Sequence, residues 1–184
     1  SILYAIFIAL ILTACAQVVS PTGGEKDILP PKVTNAKPEN GSTNFDAKEI
    51  VITFDEYIQL GTISEELNVS PPLKYKPDIT IKGKGISIKL KDTLAENTTY
   101  TFSFGNAIKD NNEGNILENF TYAFSTGNVI DSLSASGIVL DAFSIEPKEK
   151  FLVMLYDKVG DSIPYKELPR YITRTNKSGD FQFQ

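Results

Sequence analysis

Cys15 is the only cysteine of this 184-residue chain, and the chain contains no histidine. A cysteine thiolate is a strong nucleophile, but it is usually activated by a neighbouring imidazole, which is absent here. Histidine is also the commonest general base and, with cysteine, the commonest zinc ligand. Carboxylates remain, so acid catalysis is possible in principle, but without these usual groups we predict that the chain is not an enzyme and has no catalytic residue and no cofactor.

The clearest carboxylate pair is Asp55 and Glu56, in the segment ITFDEYI. Adjacent residues of a strand point to opposite faces, so two carboxylates at these positions cannot share one substrate. We interpret them as a polar pair at the end of a strand rather than as a catalytic dyad.

The residues before Cys15 are almost wholly apolar, and their types suggest a modification of its thiol. Residues 2–12 have the length of the hydrophobic region of a signal peptide. The next residues resemble the lipobox of bacterial lipoproteins, with the sequence Leu12, Thr13, Ala14 and Cys15. The resemblance implies that residues 1–14 are a signal peptide, that the small Ala14 fits the peptidase cleft, and that Cys15 receives a diacylglyceryl group and an acylated amino terminus.

A lipid anchor is one of three interpretations of this apolar run. The run could also be a single transmembrane anchor, or a buried strand followed by a chance cysteine, but a spanning helix needs roughly 20 residues. Each buried acyl methylene contributes about 0.8 kcal/mol, so several acyl chains hold a protein firmly at a membrane. The chain does not start with Met and no Lys or Arg precedes Lys26, so we expect a fragment that lacks the positively charged start of the signal.

The composition fits an exported protein with a folded core. Hydrophobic residues make up 41% of the chain and charged residues 22%, with a net charge of -5. No basic cluster is present, so we expect no nucleic-acid partner. The partners that we expect are a membrane, through lipid on Cys15, and an envelope protein; a small-molecule ligand is not expected. By the sorting rule of the lipoprotein family, Ala16 and Gln17 imply the outer membrane, with the domains facing either the periplasm or the exterior.

Residues 15–30 concentrate proline and glycine, so we predict a tether there. After it, apolar and polar residues alternate with the period of two that is typical of strands with one face in a core. Turn signals such as Asn40 with Gly41 separate these strands, and at most one helical turn is expected, at residues 62–67. The predicted inward positions are Ile50, Ile52, Phe54, Ile86, Ile88, Leu90, Tyr100, Phe102, Phe104, Phe120, Tyr122 and Phe124.

Three segments carry a family resemblance: ITFDEYI at residues 52–58, LAENTTYTFSF at 94–104 and FTYAFSTG at 120–127. In order and spacing they resemble the bacterial Ig-like domain of surface-layer proteins and Gram-negative lipoproteins, over residues 31–127. The resemblance implies an Ig-like Greek-key β-sandwich, and the period of two independently predicts an all-β fold. Leu94 and Tyr100 also have the spacing of a tyrosine corner, in which a buried phenol bonds to the backbone of a nearby loop.

A second set of segments follows between residues 134 and 184, with the sequences SGIVLDAF, FLVMLYD and YITRTNKSGDFQF. These segments resemble the opening of a carboxypeptidase-regulatory-like or transthyretin-like β-sandwich, so we predict a second, C-terminally truncated sandwich over residues 134–184. The resemblance places a hairpin turn at residues 176–179, where Gly179 takes a positive φ. Because an incomplete sandwich has an unpaired edge and an unfilled core, we expect it to be less stable than the first domain.

Asp110, Asn112 and Asn115 could supply oxygen ligands to calcium. Their spacing differs from that of an EF-hand loop, and a turn that uses Asp and Asn explains the same residues without a metal. Calcium therefore stays a minor alternative at this loop.

Three Asp-Ser/Thr-aliphatic triplets resemble the acceptor of a periplasmic O-glycosylation system, with the acceptor hydroxyls on Thr93, Ser132 and Ser162. Ordinary turn chemistry explains these triplets equally well. Sugar binding through ring stacking has few candidates, because the chain has no Trp and most aromatic residues fall at predicted core positions. We expect the remaining candidates to be half-buried: Tyr57, Tyr75, Tyr165 and Tyr171.

The interpretation that these observations favour is a non-catalytic, lipid-anchored cell-envelope protein that carries an Ig-like domain as a spacer or protein-interaction module. Two functions of other classes remain open. One is a glycan- or peptide-binding module, and the other is the accessory N-terminal region of a larger envelope enzyme.

Overall fold

The computed structural model describes residues 24–183, so the predictions for Leu12, Thr13, Ala14 and Cys15 lie outside the described residues. Within this range the chain forms thirteen strands and two helices of one turn each. They are β1 (Val33–Lys37), β2 (Glu49–Phe54), β3 (Ile58–Leu60), α1 (Ile63–Glu66), β4 (Asn68–Ser70), β5 (Asp78–Lys82), β6 (Gly85–Lys89), β7 (Thr99–Ser103), β8 (Ile108–Asp110), β9 (Thr121–Ser125), β10 (Ala135–Ile138), β11 (Leu152–Leu155), α2 (Ile163–Lys166), β12 (Tyr171–Arg174) and β13 (Asp180–Phe183). No helix in the described range is long and apolar enough to cross a bilayer.

The first nine strands form a β-sandwich, which confirms the predicted fold class. One sheet has the antiparallel order β1-β2-β6-β5, and the facing sheet has the order β4-β7-β9, while β3 and β8 form a separate pair. The chain changes sheets after β1, because Ser42 forms a parallel bridge with Phe124 of β9. The amide of Phe45 also donates to the carbonyl of Ser125 at 2.9 Å. Residues 41–45 therefore cover the outer edge of β9, so that β7 and β9 are both paired on both sides.

The core of the sandwich consists of the inward positions that the period of two predicts. Ile52 and Ile88 are fully buried, as are Phe102 and Tyr122 from the facing sheet. Phe124 lies at the centre, with the Phe45 ring stacked on it at 3.8 Å between centroids. Full burial of one such side chain contributes about 1.5–3 kcal/mol, so the strand faces themselves hold the two sheets together. Leu90 and Phe120 are only partly buried and pack against this cluster.

Five strands of the sandwich were not predicted from the sequence: β1, β3, β4, β5 and β8. Three of them have only three residues, and β1 and β5 lie at the edges of their sheet, where a strand needs fewer inward apolar positions. Their position depends on pairing with a neighbour rather than on their own composition. Residues 62–67, where one helical turn was expected, contain α1.

Residues 134–183 form two separate antiparallel pairs, β10 with β13 and β11 with β12. The predicted turn lies between β12 and β13, and Gly179 has the expected positive φ, of 78°. Within this range Phe183 is the buried large apolar residue, whereas Phe143 is 98% exposed. The C-terminal unit, as we call residues 134–183, therefore has strands of a sandwich but little buried apolar core.

Candidate functional site

Tyr100 of β7 ties a loop of the sandwich to the core. Its ring is buried among the core aromatics, and its hydroxyl oxygen accepts a hydrogen bond from the amide of Ala95 at 2.9 Å. Leu94, the other residue of the predicted tyrosine corner, is half-buried beside the core. This is the geometry that a tyrosine corner requires, and its role is to hold the loop at Ala95 to β7.

Asp110 organises the loop for which calcium was considered. Its Oδ1 accepts hydrogen bonds from the amides of Asn112, Glu113 and Gly114 at 2.8, 2.6 and 2.9 Å. Its Oδ2 accepts one from the amide of Asn115 at 2.8 Å. Burial by itself would raise the pKa of Asp110, but the four amide donors outweigh it and hold the pKa below its usual value. The Asp110 carboxylate therefore stabilises the turn, and both of its oxygens already accept hydrogen bonds from backbone amides.

Asp55 and Glu56 lie directly after β2, at the strand end that the sequence indicated. Asp55 Oδ1 accepts a hydrogen bond from the amide of Lys32 at 2.8 Å, which fixes the start of the sandwich. Burial raises the pKa of Glu56, and the neighbouring carboxylates of Asp110, Asp55 and others raise it further. Within residues 24–183 no group of His, Cys, Asp or Glu has the arrangement of a metal site.

The three candidate acceptor hydroxyls are all accessible. Thr93, Ser132 and Ser162 are exposed and lie outside the strands and helices, although Ser162 immediately precedes α2. Exposure in irregular backbone is what an acceptor requires, but an ordinary turn residue has the same surroundings, so glycosylation at these positions stays a prediction.

The expectation that the candidate tyrosines are half-buried is wrong for three of them. Tyr57 is 62% exposed, Tyr75 54% and Tyr165 89%. Tyr57 and Tyr75 lie beside lysine side chains, with Lys84 Nζ 5.7 Å from the Tyr57 ring centre and Lys74 Nζ 5.3 Å from that of Tyr75. Tyr57 and Tyr75 are on separate loops and Tyr165 is in α2, so all three lie outside the core strands, where a strand period cannot predict their burial.

Tyr171 is the half-buried one of the four tyrosines, and it lies where the C-terminal unit meets the sandwich. Its hydroxyl is 3.4 Å from Asp131 Oδ2, and the amide of Asp131 donates to Thr99 Oγ1 at 2.8 Å. The amide of Ile172 in β12 also donates to Ser70 Oγ in β4, at 3.3 Å. These few polar contacts join β12 to the outer side of the β4-β7-β9 sheet.

An ion pair closes one end of this junction. Glu66, at the end of α1, is 2.9 Å from Lys150 Nζ, which precedes β11. The Lys150 hydrogen bond is the main cause that lowers the pKa of Glu66, and the amide of Asn106 adds to it against partial burial. No sequence pattern predicts this pair, since its members are distant along the chain and each resembles an ordinary surface charge.

A polar cleft runs along the junction, between the outer face of the β4-β7-β9 sheet and the β12-β13 hairpin. It contains three adjoining cavities of about 400, 600 and 370 Å³. The strand residues on its floor are Thr99, Thr101, Ser103, Thr121 and Ala123, and the opposite wall includes Thr173, Arg174, Asn176 and Gln182. Cavities at the interface of two units are common ligand sites, so this cleft is the site candidate that the described residues offer.

The cleft was not predicted, although the sequence contains part of the signal for it. The polar residues that alternate with Tyr100 and Phe102 in β7 are Thr99, Thr101 and Ser103, all small and uncharged. An outward strand face usually carries charged residues, so their absence here could have indicated a covered face. The position of the covering hairpin has no such local signal.

A family model for the bacterial Ig-like domain matches residues 27–126. Comparison with the curated proteins gives no match. The S-layer protein structure rSbsC(31-844) is similar at 19% identity and a TM-score of 0.37, over 82% of this chain and 18% of that one. The N-terminal part of SbsC is similar at 20% identity and a TM-score of 0.36, over 85% of this chain and 33% of that one.

An L,D-transpeptidase from Mycobacterium smegmatis is similar at 12% identity and a TM-score of 0.36, over 80% of this chain and 74% of that one. This chain thus spans less than a fifth of rSbsC and a third of its N-terminal part. At these identities and scores the structural similarities carry no argument about activity, and the family match stands on its own.

Proposed function

The chain belongs to the bacterial Ig-like domain family, and from this premise we propose that it is a non-catalytic, lipid-anchored cell-envelope protein. Cys15 would carry the lipid, and the Ig-like domain would act as a spacer or protein-interaction module in the outer membrane. The observation that carries the proposal is the order along the chain: an apolar run, a lone cysteine in the sequence LTAC, a short segment, and then a closed sandwich.

The segment between the cysteine and the sandwich supports a tether. Residues 24–29 are exposed and contain no helix or strand, and Pro31 is the first buried residue of the described range. One contact holds this segment to the domain, from Asn115 Nδ2 to the carbonyl of Asp27 at 3.1 Å. A fully extended chain from Cys15 to Leu29 could span at most about 50 Å, so the domain would stand close to the membrane.

The charges on the outer face of the β1-β2-β6-β5 sheet are consistent with a spacer domain that is surrounded by water. It carries charges of both signs, with Lys82 Nζ 3.2 Å from Glu49 Oε1 and Lys91 Nζ 3.3 Å from Asp78 Oδ2. Exposed pairs of this kind contribute little to stability, but a mixed charged face keeps a domain soluble and discourages edge pairing. A spacer domain needs only such a soluble surface and no binding site.

Metabolic labelling with radioactive palmitate tests the anchor in cells that produce the chain with an added start Met and basic residues. Cys15→Ala should abolish labelling, because its thiol is the acceptor of the diacylglyceryl group. Ser20→Ala, beyond the processing position, should be labelled like the unchanged chain. Label retained by Cys15→Ala, or no label on the unchanged chain, would overturn the lipid anchor.

Intact mass measurement on the processed protein gives a second readout. Its mass should equal that of residues 15–184 plus the acyl groups if the chain carries lipid alone. Additional hexose-type mass that disappears in Thr93→Ala, Ser132→Ala or Ser162→Ala would show that the exposed acceptor hydroxyls are glycosylated.

A further inference from the structure

The two outer faces of the sandwich differ in charge. The β2, β5 and β6 residues that face water on one sheet include Glu49, Asp78, Lys82 and Lys89. The outward residues of β4, β7 and β9 are all uncharged: Asn68, Ser70, Thr99, Thr101, Ser103, Thr121, Ala123 and Ser125. This second face is also the floor of the polar cleft.

The floor of the cleft combines hydrogen-bond donors and acceptors without charge. Thr101 and Ser103 are half-buried, and Thr121 is exposed within the cleft. A hydroxyl both donates and accepts, so a row of hydroxyls matches a ligand whose own groups do both. Asn119 lines the two larger cavities, and its side-chain amide can also both donate and accept hydrogen bonds.

The charges at the rim do not favour a charged ligand. The 600 Å³ cavity is lined by one residue of each sign, Arg174 and Asp180. The 400 Å³ cavity is lined by three basic and four acidic residues: Lys150, Arg174, Lys177, Glu65, Glu66, Glu118 and Glu149. Charges of opposite sign around one cleft largely cancel in their field at its centre. The floor offers little apolar surface to a fatty ligand, since Ala123 is the apolar residue among its strand positions, while Ile138 and Phe181 lie on the opposite wall.

The strand edges in the floor argue against a peptide that adds to the sheet. β7 is paired with β4 on one side and with β9 on the other. The outer edge of β9 is covered by residues 41–45, and β12 lies against β4. Peptide recognition by strand addition requires a free edge, and neither β7 nor β9, which carry the Thr101, Ser103 and Thr121 hydroxyls, has one.

From these observations we infer that the cleft between the β4-β7-β9 sheet and the β12-β13 hairpin binds an uncharged oligosaccharide. Sugar hydroxyls would bond to the side chains of Thr101, Ser103 and Thr121, and the adjoining cavities would accommodate successive sugar units. The half-buried ring of Phe181 forms part of the wall of the largest cavity and offers a flat apolar surface to a sugar face. This binding is independent of the lipid on Cys15 and goes beyond the role of a spacer.

The test uses isothermal titration and ¹H-¹⁵N chemical shifts of the full chain in detergent. The probes are cellopentaose, maltopentaose, penta-N-acetylchitopentaose and mannopentaose, each up to about 10 mM, which would reveal a Kd of about 1 mM. We expect at least one probe to shift amide signals of β7 and β9 in a saturable way. The absence of saturable shifts in these strands with all four probes would overturn the inference.

Variants separate the floor hydroxyls from the fold. The double variant Thr101→Val/Thr121→Val keeps the side-chain shape and removes two hydroxyls, so the affinity should fall about tenfold, from about 0.5–1.5 kcal/mol for each lost hydrogen bond. Thr80→Val, at an exposed position of β5 on the opposite sheet, is the matched control and should leave the affinity unchanged. Thermal unfolding establishes that each variant is folded, and equal affinity of the folded double variant and the control would contradict the assignment.

Discussion

Glu66 and Lys150 form an ion pair of 2.9 Å across the junction between the Ig-like domain and the C-terminal unit. The Glu66 side chain is 21% exposed, whereas that of Lys150 is 61% exposed. The other Glu66 oxygen, Oε2, accepts a hydrogen bond from the amide of Asn106 at 3.2 Å. The Asn106 amide of the Ig-like domain thus holds the Glu66 side chain in place. The ion pair with Lys150 then fixes where the C-terminal unit contacts the domain.

Glu66→Gln should loosen this junction without unfolding the domain. The variant keeps an oxygen for the Asn106 amide but loses the charge that attracts Lys150. We expect faster amide hydrogen exchange in β12, at the contact of Ile172 with Ser70, while exchange in β2 and β6 stays unchanged. Glu65→Gln is the matched control, because Glu65 is an exposed neighbour whose carboxylate forms no ion pair within residues 24–183.

The pH dependence of the same junction follows from its two pKa shifts. The pKa of Glu66 is lowered, mainly by Lys150, so its contribution is complete above the usual value of 4.5 and is lost as the pH falls through the lowered pKa. The pKa of Lys150 is raised, mainly by Glu66, so its contribution is complete below 10.5 and is lost as the pH rises through the raised pKa. Exchange in β12, corrected for the intrinsic rate, should therefore be slowest between these limits; a flat profile in acid would contradict the role of Glu66.

Tyr100→Phe should destabilise the Ig-like domain. The change removes the hydroxyl that accepts the Ala95 amide and leaves the buried ring in place, at a cost of about 0.5–1.5 kcal/mol. For a domain of this size, 1 kcal/mol lowers Tm by roughly 4–8 °C. Thermal unfolding measures the change, and Tyr75→Phe, on an exposed ring, should leave Tm unaltered. An unchanged Tm of Tyr100→Phe would refute the tyrosine corner.

The residues that could be predicted from sequence are those whose burial follows from their own strand. Ile50 and Ile52 fall at alternate positions of β2, with the half-buried Glu49, Val51 and Thr53 between and beside them, and both are fully buried. Residues 41–45 could not be predicted as a parallel partner of β9, because that pairing depends on where β1 leaves the facing sheet. The cleft is less predictable still, since its floor belongs to β7 and β9 and its cover to a hairpin some fifty or more residues later.

The loop at Asp110 shows the same limit of prediction from sequence. The spacing of Asp110, Asn112 and Asn115 allowed both a calcium site and a turn. The outcome depends on which groups reach its oxygens, and the backbone of residues 112–115 supplies four amides to them. Side-chain spacing alone cannot reveal donors that belong to the backbone.

The C-terminal unit should be the first part of this chain to exchange its amide hydrogens. Several of its large apolar side chains are exposed, with Phe151 at 53% and Leu155 at 42%, so local opening gives up little buried area. We expect amides of β10, β11, β12 and β13 to be protected at least roughly tenfold less than those of β2 and β6. Hydrogen exchange followed by mass spectrometry at neutral pH measures this difference, and uniform protection across the chain would show a single cooperative unit instead.

Asp110→Asn should loosen the loop after β8 and lower Tm by several degrees. The carboxamide keeps one acceptor oxygen but turns an NH₂ group toward amides that need an acceptor, so buried donors lose their partner. Because the pKa of Asp110 lies below its usual value of 3.8, its contribution is complete above that pH and is lost as the pH falls through the lowered pKa. Thermal unfolding between acid and neutral pH should show the Tm difference between the two proteins narrowing in acid.

Glu113→Gln is the matched control for this loop, because its side chain is exposed and only its amide contacts Asp110. It should keep the Tm of the unchanged chain at neutral pH. Calcium chloride should leave the Tm of the unchanged chain where it is, since both Asp110 oxygens already accept backbone hydrogen bonds. A rise in Tm with calcium that disappears in Asp110→Asn would show that the carboxylate binds the ion in preference to the four amides, and it would replace the turn by a metal site.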